Sequence, residues 1–354
     1  MNFHRLKYFL VYLTPVVVII SIASNGIWTY LAVFILFGFL PFLELFTKGS
    51  TENLSAVEEE IAKKEKIYDL LLYGLVPVQY AILIFFLYRL SEFNLTTAET
   101  IGITLSFGLS CGILGINAAH ELGHRTTWYE QLMSKMLLLT SLYMHFFIEH
   151  NRGHHKNVST DDDPASSRYG ETVYAFYFRT IWGSWMSAWH LEKVSLKKNQ
   201  IPFWSIQNEM LRFQYIQTGF VLIIGLIVGW KVMLLFIAGA MIGFLLLETV
   251  NYIEHYGLRR KKLGDKYERT LPIHSWNSNH PLGRLVLLEL SRHSDHHYMA
   301  SRKYQLLRHF DESPQMPTGY PGMILLSLIP PLWFMLIHKE IEKKRRSKDG
   351  YALA

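Results

Sequence analysis

The sequence predicts an all-α, polytopic membrane protein, and three observations support this fold class. Half of the residues are hydrophobic, and the mean hydropathy is positive, at +0.14. Charged residues make up 18% of the chain, against about 25% in soluble domains. These charges are crowded into a few stretches between long apolar runs. A bilayer requires this segregation, because a charged side chain near its centre costs roughly 2.5 kcal/mol or more.

Six apolar runs are long enough to cross a membrane, which takes roughly 17 to 25 helical residues. They form three predicted helical hairpins: 8–23 with 27–46, 67–90 with 99–119, and 213–229 with 232–250. Segments 120–212 and 251–318 follow the second and third hairpins, and we expect residues 1–354 to form one integral-membrane domain. Small residues four apart, such as Gly239 and Gly243, predict close packing between these helices.

The distribution of Lys and Arg orients the predicted helices. Basic residues follow the second span, the sixth span at 259–262 and the last apolar run at 343–348. All of them fall on the same predicted side as both termini and segments 120–212 and 251–318. We therefore expect a multi-pass protein of the inner (plasma) membrane, with its N-terminus, C-terminus and both segments in the cytoplasm.

Charge and cysteine content exclude several classes of protein. The formal net charge is +6, but no basic stripe stands apart from the membrane segments, so we expect no nucleic acid partner. Cys111 is the only cysteine, and one cysteine cannot form an internal disulfide, a thiolate zinc site or an iron–sulfur cluster. Any bound metal must therefore be held by nitrogen and oxygen ligands.

Histidine carries the most specific pattern. Of sixteen histidines, nine fall into four groups just beyond apolar runs: His120 and His124; His150, His154 and His155; His255; and His293, His296 and His297. Residues three and four apart share one face of a helix, so each group with several histidines can direct two imidazoles at one metal. Nine nitrogens exceed what one ion can take, which predicts two ions, and imidazole suits iron, zinc, copper and nickel alike.

The remaining seven histidines are expected to be structural: His4, His145, His190, His274, His280, His309 and His338. One motif allows a different interpretation. Residues 120–124 fit H-E-x-x-H, in which two histidines bind zinc and the glutamate acts as a base. A metallopeptidase of this type would leave seven of the clustered histidines without a role, which disfavours it.

Four carboxylates lie inside the histidine groups: Glu121, Glu149, Glu254 and Asp295. Each is a candidate to orient an imidazole or to bind a metal directly, and we select Glu254 and Asp295 as catalytic candidates. Solvated surface positions are an equal alternative for the first two. The run 161–163 is interpreted as a loop turn ahead of Pro164.

Two of these motifs resemble a known family. Residues 251–258 match N-Y-x-E-H-Y-G-L and residues 292–297 match R-H-S-D-H-H. Both are typical of the integral-membrane non-haem di-iron alkane 1-monooxygenases, within the wider superfamily of membrane fatty-acid desaturases and hydroxylases. The resemblance covers roughly residues 60–338, and Tyr298-Met299 depart from it by following the last group where smaller or more polar residues are expected.

This resemblance implies a ligand set, a cofactor and an activity. It makes the nine clustered histidines ligands of two iron ions: His120, His124, His150, His154, His155, His255, His293, His296 and His297. The implied reaction is O₂-dependent terminal hydroxylation of medium- or long-chain n-alkanes to 1-alkanols, within a membrane lipid environment. A related hydroxylase or desaturase acting on fatty acyl chains or aryl methyl groups is the alternative, and the preferred chain length stays open.

Electrons for such a reaction are expected to come from a separate protein. The chain has no G-x-G-x-x-G fingerprint and no P-loop, and one cysteine cannot build a rubredoxin site. By resemblance, the donors are rubredoxin and rubredoxin reductase as separate chains. Basic residues at 259–262 and 343–348 could steer an acidic carrier or bind anionic lipid headgroups.

Overall fold

The computed structural model describes residues 3–346 and 352–353, and it is almost entirely helical. Five helices are long and apolar enough to cross a membrane: Gly26–Glu44, Ile67–Glu92, Thr97–Gly123, Glu209–Val228 and Trp230–His255. They contain 19 to 27 residues, or about 29 to 40 Å of helix, against a hydrocarbon core of about 30 Å. The prediction of an all-α membrane protein is confirmed.

The first predicted span corresponds to a shorter apolar helix, Lys7–Ala23. It begins as a 3₁₀ helix over Lys7–Tyr12 and continues as an α-helix over Leu13–Ala23. The count of six spans therefore stays a prediction, whereas the other five predicted spans each coincide with one of the long helices.

Further helices and short strands complete the described part of the chain. The helices are Phe3–Leu6, Ala56–Lys64, Trp128–Thr140, Phe146–Glu149, His155–Asn157, Val173–Lys198, Pro281–Val286, His293–Tyr298, Tyr320–Ser327 and Pro330–Arg346, with 3₁₀ turns at Pro272–His274 and Tyr304–Leu306. Strands Leu258–Arg259 and Ala352–Leu353 pair antiparallel, as do Lys262–Leu263 and Lys266–Tyr267. Three π-helical segments, Phe34–Phe39, Cys111–Ile116 and His150–His154, interrupt the α-helical backbone.

The described chain divides into two compact units, each built from separate stretches of sequence. The first unit comprises the chain up to Leu36, Ile67–Gly153 and Ser184–Leu247. The second comprises Phe37–Lys66, His154–Gly183 and the chain from Glu248 onward. The prediction that the whole chain is one domain stays a prediction.

Glycines set the helix spacing inside the first unit. A Cβ atom on Gly243 would lie 2.5 Å from the Cβ of Cys111, and one on Gly239 would lie 2.5 Å from the ring of Phe107. On the facing helix, a Cβ atom on Gly112 would lie 3.0 Å from the carbonyl oxygen of Gly243. These helices approach so closely because glycine has no side chain, as the spacing of small residues predicted.

Candidate metal centre

Three histidines converge in the first unit. The Nε2 atoms of His120 and His124 lie 3.4 Å apart, and the ring of His150 lies 4.5 Å from that of His120 and 5.2 Å from that of His124. His120 and His124 stand one turn apart at the end of helix Thr97–Gly123, and the ring of Phe146 stacks on His150 at 4.6 Å. His120 and His150 are buried.

Four histidines form a second group, inside the second unit: His154, His255, His293 and His297. One ligand nitrogen from each lies within 4.8 Å of the others, and all four residues are buried. The Nε2 atoms of His255 and His293 are 3.2 Å apart. His255 ends a long apolar helix, whereas His293 and His297 share the short helix His293–Tyr298.

The two remaining clustered histidines pair with each other in the second unit. The Nε2 atoms of His155 and His296 lie 3.1 Å apart, and the ring of His155 lies 4.6 Å from that of His297. Each of the nine predicted ligands therefore contacts at least one other predicted ligand.

Histidines four apart lie in one group at two of the three places where they occur. His120 and His124 lie together, and so do His293 and His297, but His150 belongs to the group in the first unit and His154 to the group in the second. Spacing places two imidazoles on one helix face, but they are offset along the axis by about 6 Å, enough to serve different groups.

The donor set fits metal ions. Two nitrogens bound to one ion at about 2.0–2.1 Å are about 2.8 to 3.4 Å apart for right-angled to tetrahedral geometry, and the close Nε2 pairs measure 3.1, 3.2 and 3.4 Å. His297 is buried, and neither ring nitrogen has a hydrogen-bond partner among the described residues. Burial and the neighbouring imidazoles hold the pKa of His297 well below its ordinary value, which favours the neutral, ligating form.

Asp163 is a site residue that sequence reasoning missed. Its Oδ2 lies 2.9 Å from Nδ1 of His154, and it also accepts hydrogen bonds from Ser166 Oγ (2.5 Å) and from the backbone N–H of Ala165, at 3.1 Å to Oδ1. Burial acts to raise the pKa of Asp163, but His154 and the hydrogen bond from Ser166 outweigh it, so the pKa is lowered. The resulting carboxylate accepts a hydrogen bond from Nδ1–H of His154, which would leave Nε2 as the nitrogen that binds a metal.

Glu254 lies beside the four-histidine group, where the sequence predicted it. Its Oε2 is 3.1 Å from Nε2 of His293, and its Oε1 accepts a hydrogen bond of 2.8 Å from the hydroxyl of Tyr320. All three side chains are buried. Tyr320 was not predicted as a site residue, and it lies 66 residues further along the chain.

Asp295 has a different environment. Arg308 donates to it from its backbone N–H (2.9 Å), Nε (3.2 Å) and Nη2 (3.0 Å), and Arg302 Nε forms an ion pair at 3.4 Å. The carboxylate thus ties the short histidine helix to the following segment, and a catalytic role for Asp295 stays a prediction.

Neither Glu121 nor Glu149 is a solvated surface residue. Glu121 is buried and forms an ion pair of 2.6 Å with Arg125. Glu149 is buried and accepts a hydrogen bond of 3.4 Å from Ser187. The surface alternative was wrong for both residues.

Three of the histidines expected to be structural contact side chains outside the histidine groups. His274 contacts Glu268 at 3.2 Å, and burial lowers its pKa to about 4. His309 contacts Asp311 at 3.0 Å, and His338 contacts the hydroxyl of Tyr256 at 2.9 Å. The side chain of His4 lies outside the described residues.

The basic cluster at 259–262 is less available to a partner than the sequence implied. Arg259 is buried and donates to the carbonyl of Leu258 at 3.0 Å. Arg260 donates to the carbonyls of Glu268 and Lys156, at 2.7 and 2.8 Å. Of the second cluster, 343–348, residues 347 and 348 lie outside the described residues.

Comparison with known proteins identifies the family of this chain. The fatty acid desaturase family model matches residues 97–327. Alkane 1-monooxygenase 2 of Pseudomonas aeruginosa is 40% identical over 311 residues, covering 86% of this chain and 82% of that protein. Alkane 1-monooxygenase of Acinetobacter baylyi is 39% identical over 303 residues, 85% of this chain and 74% of its own length. The chain belongs to the alkane monooxygenase family.

This family member is accordingly an oxidoreductase of the monooxygenase class and a membrane protein that can bind metal. The resemblance noted at residues 251–258 and 292–297 is thereby confirmed. A more distant relative is the xylene/toluene monooxygenase hydroxylase component of Pseudomonas putida, which is 30% identical over 241 residues, 68% of this chain and 64% of that protein.

Proposed function

We propose that the enzyme uses O₂ to hydroxylate the terminal methyl group of medium- or long-chain n-alkanes to 1-alkanols. One observation carries the proposal: the alkane 1-monooxygenases of Pseudomonas aeruginosa and Acinetobacter baylyi are 39–40% identical over most of their length and of this chain. The convergent imidazoles support it, because an unactivated C–H bond offers no acidic proton for acid–base catalysis.

We propose further that the nine clustered histidines hold two non-haem iron ions. Bound iron would supply the activation of O₂ that side chains cannot provide. The protein's own contribution is to fix the donors: Asp163 accepts a hydrogen bond from Nδ1–H of His154, and Tyr320 donates one to Glu254, which lies beside His293. Burial of all these groups excludes water from the four-histidine group.

The electron donor and the cellular location belong to the same proposal. Rubredoxin and its NAD(P)H-dependent reductase are proposed as separate chains that deliver electrons. The enzyme is proposed to lie in the inner membrane with both termini and the histidine segments on the cytoplasmic side, because basic residues gather there by the positive-inside rule.

A second candidate function is hydroxylation of an aryl methyl group. The 30% identity to the xylene/toluene monooxygenase hydroxylase component favours it specifically. The lower identity and the shorter coverage of that relative make the alkane the first choice.

The test is product analysis with iron-quantified protein. The full chain, reduced anaerobically with rubredoxin, its reductase and NADH, is exposed to O₂ with octane or with a xylene. About two irons per chain and 1-octanol are expected. Oxidation of xylene alone would favour the second candidate, and stoichiometric zinc with no oxygen uptake would overturn the oxygenase proposal.

A matched pair of variants tests the ligand set separately. His297→Ala should lose iron, because it removes a buried imidazole whose ring nitrogens have no other partner among the described residues. His338→Ala, whose imidazole contacts Tyr256 instead, should keep its iron. Equal iron content in the two variants would contradict the ligand assignment.

A further inference from the structure

A groove of about 660 Å³ opens on the first unit. None of the residues that line it is one of the nine clustered histidines. Its walls are the C-terminal part of helix Val173–Lys198 and the segment that follows this helix. The apolar part of the lining includes Met186, Leu196, Ile201 and Phe203. The ring of Phe203 folds back onto Trp189, with centroids 5.8 Å apart. The groove is therefore a formed feature of the fold.

The charged side chains that line the groove, Lys193 and Lys197, are both basic. His190, Lys193 and Lys197 are exposed and line it together. They stand at positions i, i+3 and i+7 of one helix, so they share a face. Such a surface attracts an anion.

Two neighbouring side chains relate the groove to the membrane surface. Trp204 and Ile206 are 81% and 85% exposed, and they immediately precede the apolar helix Glu209–Val228. Tryptophan is enriched at the headgroup level of a bilayer, where one end of the ring is apolar and the other is wet. An apolar groove with a basic rim next to the start of a span therefore lies at the depth of lipid headgroups.

An unsatisfied donor adds an independent observation. The indole Nε1 of Trp189, a residue that lines the groove, is buried and has no hydrogen-bond partner among the described residues. A buried donor normally has a partner, and a phosphate oxygen in the groove would supply one.

We propose that this groove binds an anionic phospholipid of the surrounding bilayer. Its phosphate lies against Lys193, Lys197 and the indole of Trp189, and an acyl chain lies along Met186, Leu196 and Phe203. Charge complementarity selects an anionic headgroup over a zwitterionic one. The exposed Trp204 and Ile206 favour a lipid over a soluble acidic protein, because a soluble partner would leave them in water.

The experiment is native mass spectrometry of the full chain in detergent, with equal amounts of phosphatidylglycerol and phosphatidylcholine added. Wild-type protein should retain phosphatidylglycerol preferentially. Lys193→Glu with Lys197→Glu should lower that occupancy by about tenfold. Lys64→Glu with Lys266→Glu changes the net charge equally at exposed positions that do not line the groove and should retain the lipid as wild type does.

Trp189→Phe provides a variant that keeps the charge and most of the packing, and it should weaken retention less than the double reversal. Equal retention of the two lipids by wild type would overturn the proposal. So would an unchanged occupancy in the Lys193/Lys197 variant. If that variant lost carrier-dependent turnover while keeping its lipid, the groove would be a protein docking surface instead.

Discussion

At the scale of single residues, the second unit fixes its imidazoles through buried carboxylates. Asp163 accepts from Nδ1 of His154, and Glu254 is held between Tyr320 and His293. A carboxylate behind a ligating histidine fixes the tautomer and raises the basicity of the ligand. These contacts predict that metal affinity depends on residues that are not themselves histidines.

Replacing Asp163 by Asn should therefore weaken metal binding. The asparagine side chain has the same size as aspartate but lacks the negative charge that the carboxylate places beside His154. Loss of such a partner typically costs 10–100-fold in affinity or activity. Iron retained after dialysis against a chelator measures the effect. Asp162→Asn, at the exposed neighbouring position, is the control. Equal iron retention in both variants would show that the carboxylate of Asp163 does not support the site.

Tyr320→Phe should separate the positioning of Glu254 from metal content. Without the 2.8 Å hydrogen bond, a buried carboxylate oxygen loses its donor, at a cost of about 1–3 kcal/mol. We expect slower turnover and lower thermal stability with iron content close to wild type. Tyr80→Phe is the control, because it removes a hydrogen bond to the carbonyl of Met136 instead. Turnover and melting temperature unchanged relative to this control would contradict the role.

Residue patterns predicted the clustered histidines and Glu254 because those motifs are local in sequence. The role of Asp163 was not predicted because residues 161–164, D-D-D-P, also form an ordinary turn sequence. Only the fold shows that one of the three aspartates contacts His154. The role of Tyr320 was not predicted because its contact with Glu254 joins residues 66 positions apart. Local pattern thus predicts the type of donor, whereas the supporting contacts depend on the tertiary fold.

At the scale of helices, hydropathy located the five long spans well because each lies within one continuous apolar run. The helix Lys7–Ala23 is the exception, since it is shorter than the other five. Spacing was less informative at 150–154, where the helix is π-helical and its two end histidines join different groups. Periodicity predicts the face of a helix but not the neighbour that the face will meet.

The glycine contacts predict a strong dependence on size at one helix interface. Gly243→Ala should destabilise the fold by about 1–3 kcal/mol, because the new methyl group would lie 2.5 Å from the Cβ of Cys111. Gly38→Ala, with no atom within 4 Å of the added Cβ, should be neutral or slightly stabilising. Unfolding in mixed micelles measures both. Similar stabilities would indicate that the helices separate at little cost.

At the scale of the whole molecule, the proposed topology makes opposite predictions for two exposed sites. Lys266→Cys, on the hairpin after the last long span, should react with a membrane-impermeant maleimide only in inside-out vesicles. Asn94→Cys, between two spans, should react only from outside intact cells. The native Cys111 is buried, so wild-type protein should stay unlabelled and serves as the control. Labelling of both sites from one side would contradict the topology.

The ribosome makes the members of the four-histidine group far apart in time, because the group needs residues 154 to 297. At about 5–20 residues per second, roughly 7 to 30 s separate the first and last of these ligands. His154 and Asp163 are therefore synthesised well before His293 and His297, and the group stays incomplete until those two residues are made. A metal ion held by all four histidines would therefore be captured late in biogenesis, after the last long span has been synthesised.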